Sequence, residues 1–130
     1  MNEDLAAALA VVRRDLSATC AVQPIVREEV DFDGDPLVML YEPDGSGVGV
    51  SVPAGVVPAE QVAELAEQVK DWAVEALAAR LLPATWPECP DHPLGHPLVA
   101  RVVGSVAVWS CPRSGRVVAP VGALAEVAGG

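Results

Sequence analysis

Basic and aromatic side chains are scarce in this chain. Lys70 is its only lysine, and a single Phe and a single Tyr stand beside three Trp. The formal net charge is −10. A phosphate backbone is bound through clustered Lys and Arg that release its counterions, so this balance argues against nucleic acid as a partner. The one short basic patch is Arg101, Arg113 and Arg116. Anionic membrane surfaces are disfavoured for the same reason. No apolar run approaches the ~20 residues of a transmembrane helix. The opening Met1-Asn2-Glu3-Asp4 is acidic where a secretory leader is basic, so the expected address is the cytoplasm. There the three cysteines read as thiols or metal ligands rather than disulfides.

What is present is a folding composition. Hydrophobic residues make up 52% and charged residues 20%, which separates the chain from disordered sequences. Its 130 residues suffice for one domain with one core, an α+β domain over 1–130. That core must be built from Val, Leu and Ala around the Trp residues. Each fully buried Val or Leu contributes roughly 1.5–3 kcal/mol, so a metal staple or a dimer interface would be a natural supplement.

Leu5, Ala8, Leu9, Val12 and Leu16 share one face and predict a helix over 5–16. Strands are expected at 25–32, 37–41 and 48–52, with Asp33-Gly34 and Pro43–Gly47 as their turns, giving a three-stranded antiparallel meander. Pro58 and Glu60 then open a long helix to about Leu82, its apolar stripe running through Val62, Leu65, Val69, Trp72 and Ala76. Pro83 stops it, and a proline-rich connector reaches Pro97. A last hairpin over 98–110 and a short strand at 116–119 follow, with a frayed tail beyond Leu124. The plan divides into a helix–meander–helix core over 1–82 and a β-rich module over 83–124. The first part resembles the topology of small dimeric secretion chaperones, as an analogy of fold alone.

Two near-copies of one turn flank the last hairpin: Cys89-Pro90-Asp91-His92-Pro93 and Cys111-Pro112-Arg113-Ser114-Gly115. Each resembles the Cys-Pro-x-Cys-Gly knuckle of a zinc ribbon, in which two such turns grip one metal. The order knuckle, hairpin, knuckle, strand is that of a ribbon, and the resemblance covers only 89 to about 119. Two positions depart from it: Pro93 replaces the expected Gly, and Ser114 stands at the fourth ligand. His96, one short segment beyond Pro93, fills the gap if Gly95 lets the chain curl back. The resemblance then implies a closed, structural Zn2+ site of Cys89, His92, His96 and Cys111. The competing reading is a ribbon that has lost its metal and relies on packing around Trp109. An open, catalytic metal on three ligands is a third, with Glu88 or Asp91 as the only local general bases.

Other features are discounted. Asp31, Asp33 and Asp35 alternate like calcium-loop ligands, but Pro36 holds a position that must be Gly, so the segment reads as an acidic hairpin tip. The glycines at 45, 47 and 49 have no following lysine or helix and make a turn rather than a phosphate loop. Cys20 reads as a small buried apolar residue, Trp72 as core, and Trp86 as a ring pinned against the core. No arrangement marks a nucleophile and its base. The expected role is therefore a non-enzymatic protein-interaction or adaptor domain with a zinc staple. Its rivals are a small metal-dependent hydrolase with an open Cys/His site and a metal-free, chaperone-like homodimer.

Overall fold

Helix α1, Glu3–Thr19, is started by Asn2, whose side chain accepts the backbone N–H groups of Asp4 and Leu5 at 2.8 and 3.1 Å. The computed structural model describes residues 2–128. The apolar stripe of α1 is buried as its spacing predicts, and Asp15 is buried with it. Helix α2, Pro58–Ala79, follows the meander and buries Leu65, Ala66, Val69, Trp72, Ala73 and Ala76. It ends before the expected Leu82. Leu81 takes a left-handed φ of 58°, and Leu82 and Leu81 donate their N–H groups to the carbonyls of Leu77 and Ala78. This is a Schellman closure with leucine where glycine is usual. Pro83 disfavours helical geometry at Leu82 and so sets the stop early.

Between the helices, β1 (Ile25–Val30), β2 (Pro36–Tyr41) and β3 (Gly47–Val50) form an antiparallel sheet in the order β1-β2-β3. The β1–β2 connection is a five-residue loop, not a two-residue Asp-Gly turn: Val30 pairs with Pro36. Asp31 causes this, because its Oδ1 accepts the N–H groups of both Asp33 and Asp35 at 2.9 Å and curls the chain early. Strands β4 (Val99–Val103), β5 (Val106–Ser110) and β6 (Val117–Pro120) form a second antiparallel sheet in the order β4-β5-β6. The tail is ordered further than expected, because Leu124–Ala128 form a short helix, α3. Helix α2 packs against α1, β3, β4 and β5, and α1 also meets α3. Buried residues from Leu5 to Leu124 join in one hydrophobic cluster.

A polar hub fastens α1 to the C-terminal elements. The Asp15 side chain, 1% exposed, accepts three N–H groups: Trp109 Nε1 at 2.8 Å, Gly122 at 2.6 Å and Leu124 at 2.9 Å. Leu124 opens α3, so the first turn of that helix is capped from α1, which explains why the tail is not frayed there. Gly122 has φ of +101°, and a Cβ on it would lie 3.0 Å from Val11 of α1. One turn on, Thr19 accepts the indole N–H of Trp86 at 2.9 Å, and Trp86 meets Trp109 edge-on at 5.7 Å. Both indoles are thus pinned in the core with their N–H groups satisfied. Removing the Asp15 carboxyl would leave three inner N–H groups without an acceptor. Asp15→Ala is expected to cost about 3 kcal/mol in urea unfolding, against less than about 0.5 for the exposed Glu126→Ala.

Candidate metal centre

The first turn is built by its own backbone. The His92 N–H donates to the Cys89 carbonyl at 3.1 Å, and the Gly95 N–H donates to the His92 carbonyl at the same distance. An isolated antiparallel bridge between Glu88 and Pro97 closes the loop and delivers the chain to β4. A Cβ at Gly95 would stand 3.1 Å from the His92 carbonyl oxygen, so any other residue would push this tight return apart by a few tenths of an ångström. The second turn follows β5 directly. Cys111 donates its N–H to Arg116 and accepts that of Gly115, at 2.9 and 2.8 Å. Two side chains lock the turns in place. Arg116 binds both carboxylate oxygens of Asp91 at 2.7 and 3.1 Å, joining one turn to the other. Arg101 of β4 donates to the Gly115 carbonyl at 2.8 Å and to Ser110 Oγ at 2.9 Å. Two of the three arginines of the basic patch are therefore engaged within the fold.

The result is a convergence of two buried thiols on one half-buried imidazole. His92 Nδ1 lies 3.6 Å from Cys89 Sγ and 3.6 Å from Cys111 Sγ. Ligand atoms of the three residues all lie within 4.8 Å of one another. With Zn–S near 2.3 Å and Zn–N near 2.0–2.1 Å, the S-to-N edge of a tetrahedral site is roughly 3.5 Å. The spacing found fits such an ion, and the Cys-His-Cys group can hold a metal. His96 is outside this group. It sits against His92, ring centres 5.0 Å apart, with Nδ1 3.3 Å from the Pro97 carbonyl oxygen. Its Nε2 is buried and has no hydrogen-bond partner among the described residues.

Ser114 does something the sequence reading did not assign to it. Its hydroxyl is the main reason that the Cys111 thiol falls from its ordinary 9.0 to about 6, helped by the backbone N–H groups of Ser114 and Arg113. The Ser114 N–H lies 3.4 Å from the sulfur. The residue at the missing ligand position thus stabilises a thiolate instead of supplying a donor atom to an ion. The Asp91–Arg116 link was also missed, although oppositely charged residues beside two matched turns are a signal for it. That pairing holds the Asp91 carboxyl below the usual carboxylate range.

The remaining candidates lie elsewhere. Cys20 caps the end of α1, half-buried, and burial raises its thiol pKa. Asp31, Asp33 and Asp35 also place carboxylate oxygens within 4.8 Å of one another, but all three are exposed and Asp31 serves the turn. Because the fold favours the Cys111 thiolate, that contribution to stability is full above pH 9.0 and is lost as pH falls through about 6. In metal-free protein, Ser114→Ala is expected to move the lowest thiolate titration, followed by ultraviolet absorbance, to higher pH. Cys111→Ser should abolish that titration. Comparison with protein-family models, with curated proteins and with solved structures finds no match to this chain.

Proposed function

We propose that this chain is an acidic protein-interaction domain whose C-terminal module is stapled by one structural Zn2+ ion, held by Cys89, His92, Cys111 and His96. The observation that carries the reading is the approach of two buried thiols to a single imidazole nitrogen at equal distances of 3.6 Å. The two turns, the hairpin between them and the strand after them follow the order of a zinc ribbon. His96, outside the group of three as it stands, would complete the set by turning toward it. Two imidazoles bound at about 2.0–2.1 Å to one tetrahedral ion keep their ring centres roughly 5 Å apart, in line with the His92–His96 separation. An unpartnered buried nitrogen is costly, and a metal would satisfy it.

A closed site is favoured over a catalytic one because both nearby acids already have structural work. Asp91 is held in the fork of Arg116, and Glu88 Oε1 accepts the N–H of Leu94 at 3.2 Å. Neither is placed as a free general base for a metal-bound water. A zinc ion here would tie the loop preceding β4 to the turn that follows β5, supplementing a core poor in large side chains. Metal binding would couple to folding, because the thiols must ionise and the turns must form together.

Protein purified without chelator or tag is expected to contain about one zinc per chain and to melt at lower temperature after chelation. A metal-free preparation that is equally stable would refute the staple. His96→Ala should weaken zinc retention at least tenfold, whereas an open three-ligand site would keep its metal in that variant.

A further inference from the structure

The first sheet has an open edge beside α2. Among the described residues strand β3 pairs only with β2, so one row of its backbone groups faces away from the sheet. The register identifies that row. Glu42 donates its N–H to Ser46, and the alternation of antiparallel pairs then bonds Leu40 with Val48 and Val38 with Val50. The N–H and C=O groups of Gly47 and Gly49 therefore point outward. Ser51 continues the row, and it is already paired: the Gln68 side-chain amide accepts its N–H at 3.0 Å and donates to its carbonyl at 2.7 Å. A carboxamide of α2 thus occupies the place of a peptide group in an added strand.

Beyond Gln68 the space between β3 and α2 opens into a groove of about 510 Å³. Trp72 forms part of its wall, and Glu42, Asp71 and Glu75 line it with no Lys or Arg among the lining residues. The glycines leave the edge low. A side chain at Gly47 would run into the Tyr41 ring, 2.5 Å from its Cβ position. An exposed strand edge is a template for another chain, and the charge of its surroundings selects which one.

We propose that this groove binds an extended, basic segment of a partner protein, which adds to the sheet along Gly47 and Gly49. Lysine or arginine side chains of the segment meet Glu42, Asp71 and Glu75. Edge-to-edge pairing of two copies of this chain is opposed, because the same three acids would face each other on chains of net charge −10. The proposal rests on the reading of the chain as an interaction domain and is independent of the metal.

The test is fluorescence anisotropy with a labelled peptide of alternating lysine and valine, about six residues long as an ordinary strand is, beside an alternating glutamate and valine peptide. The wild type should bind the first and not the second. Two variants separate strand addition from general attraction to an acidic protein. Gly49→Pro leaves the charge unchanged and blocks an outward N–H that the ladder does not use, a place where an edge strand tolerates proline. Asp71→Lys/Glu75→Lys reverses the wall at exposed helix positions, and Glu3→Lys/Glu126→Lys makes the same charge change elsewhere. Each groove variant, checked for an unchanged circular dichroism spectrum, should bind at least tenfold more weakly, while the control pair stays close to wild type. Binding that survives both groove variants overturns the groove and leaves the interaction reading standing. Failure of the folded wild type to bind the basic peptide also overturns the groove, and leaves standing the interaction reading, which does not depend on this one edge. A concentration-dependent dimer abolished by Gly49→Pro would assign the edge to self-pairing and overturn the proposal.

Discussion

The carboxyl group of Asp15 is the constraint on which the rest of the arrangement depends. It is a polar group on the buried face of α1, and it stays there because three N–H groups from Trp109, Gly122 and Leu124 converge on it. These donors come from β5, from the turn after β6 and from the start of α3. One side chain therefore fixes the N-terminal helix against three C-terminal elements. A buried polar network fully satisfied in this way specifies geometry more sharply than apolar contact does, since any shift leaves a donor without its acceptor. Trp109, held at its indole by Asp15, is two residues from Cys111. The position of the Cys111 turn is thus set from α1 through β5.

The candidate centre shows the same logic at the protein surface. Its thiols are buried, but the charges that align the two turns are not: Asp91 and Arg116 are exposed. An exposed pair contributes little to stability in salt water. Its use here is geometric, because the bidentate fork fixes the distance between two turns that the His92 imidazole and the paired thiols of Cys89 and Cys111 also join. Ser114 acts on the same turn from inside, lowering the pKa of Cys111. One aligns the two turns and the other favours the Cys111 thiolate, and neither supplies a ligand atom to the Cys-His-Cys group.

Much of the fold could be read from the sequence because it follows from periodicity. The stripes of α1 and α2, the alternating strands and the proline boundaries each rest on local geometry, and the elements stand within a few residues of where those signals put them. What could not be read depends on partners distant in the chain. Asp15 lies on the apolar stripe between Val12 and Leu16, where a lone acid is an oddity with no local explanation; its donors are 94 to 109 residues away. The Asp31 turn and the Schellman end of α2 were local but turned on side-chain and backbone hydrogen bonds that composition does not reveal. At the centre, Cys89, His92 and Cys111 came together as the matched turns implied. His96 came only as far as the His92 ring, because its own carbonyl neighbour at Pro97 and the return at Gly95 set where the loop can go.

Helix α2 is the element that relates the two halves. On one flank Glu67 accepts the N–H of Ala100 at 3.4 Å, and Lys70 reaches the Leu98 carbonyl at 3.4 Å while pairing with Glu67 at 2.7 Å. On the next flank Gln68 holds Ser51, and Asp71 and Glu75 wall the groove. Leu98 itself donates its N–H to Pro87, across the loop that carries Cys89 and His92. Residues 67 to 75 thus span from the edge of one sheet to the root of the loop that carries Cys89 and His92. Leu65, Val69, Trp72 and Ala76 bury α2 in the core, so the wall of the groove is held by packing and stands apart from any ion at the Cys-His-Cys group.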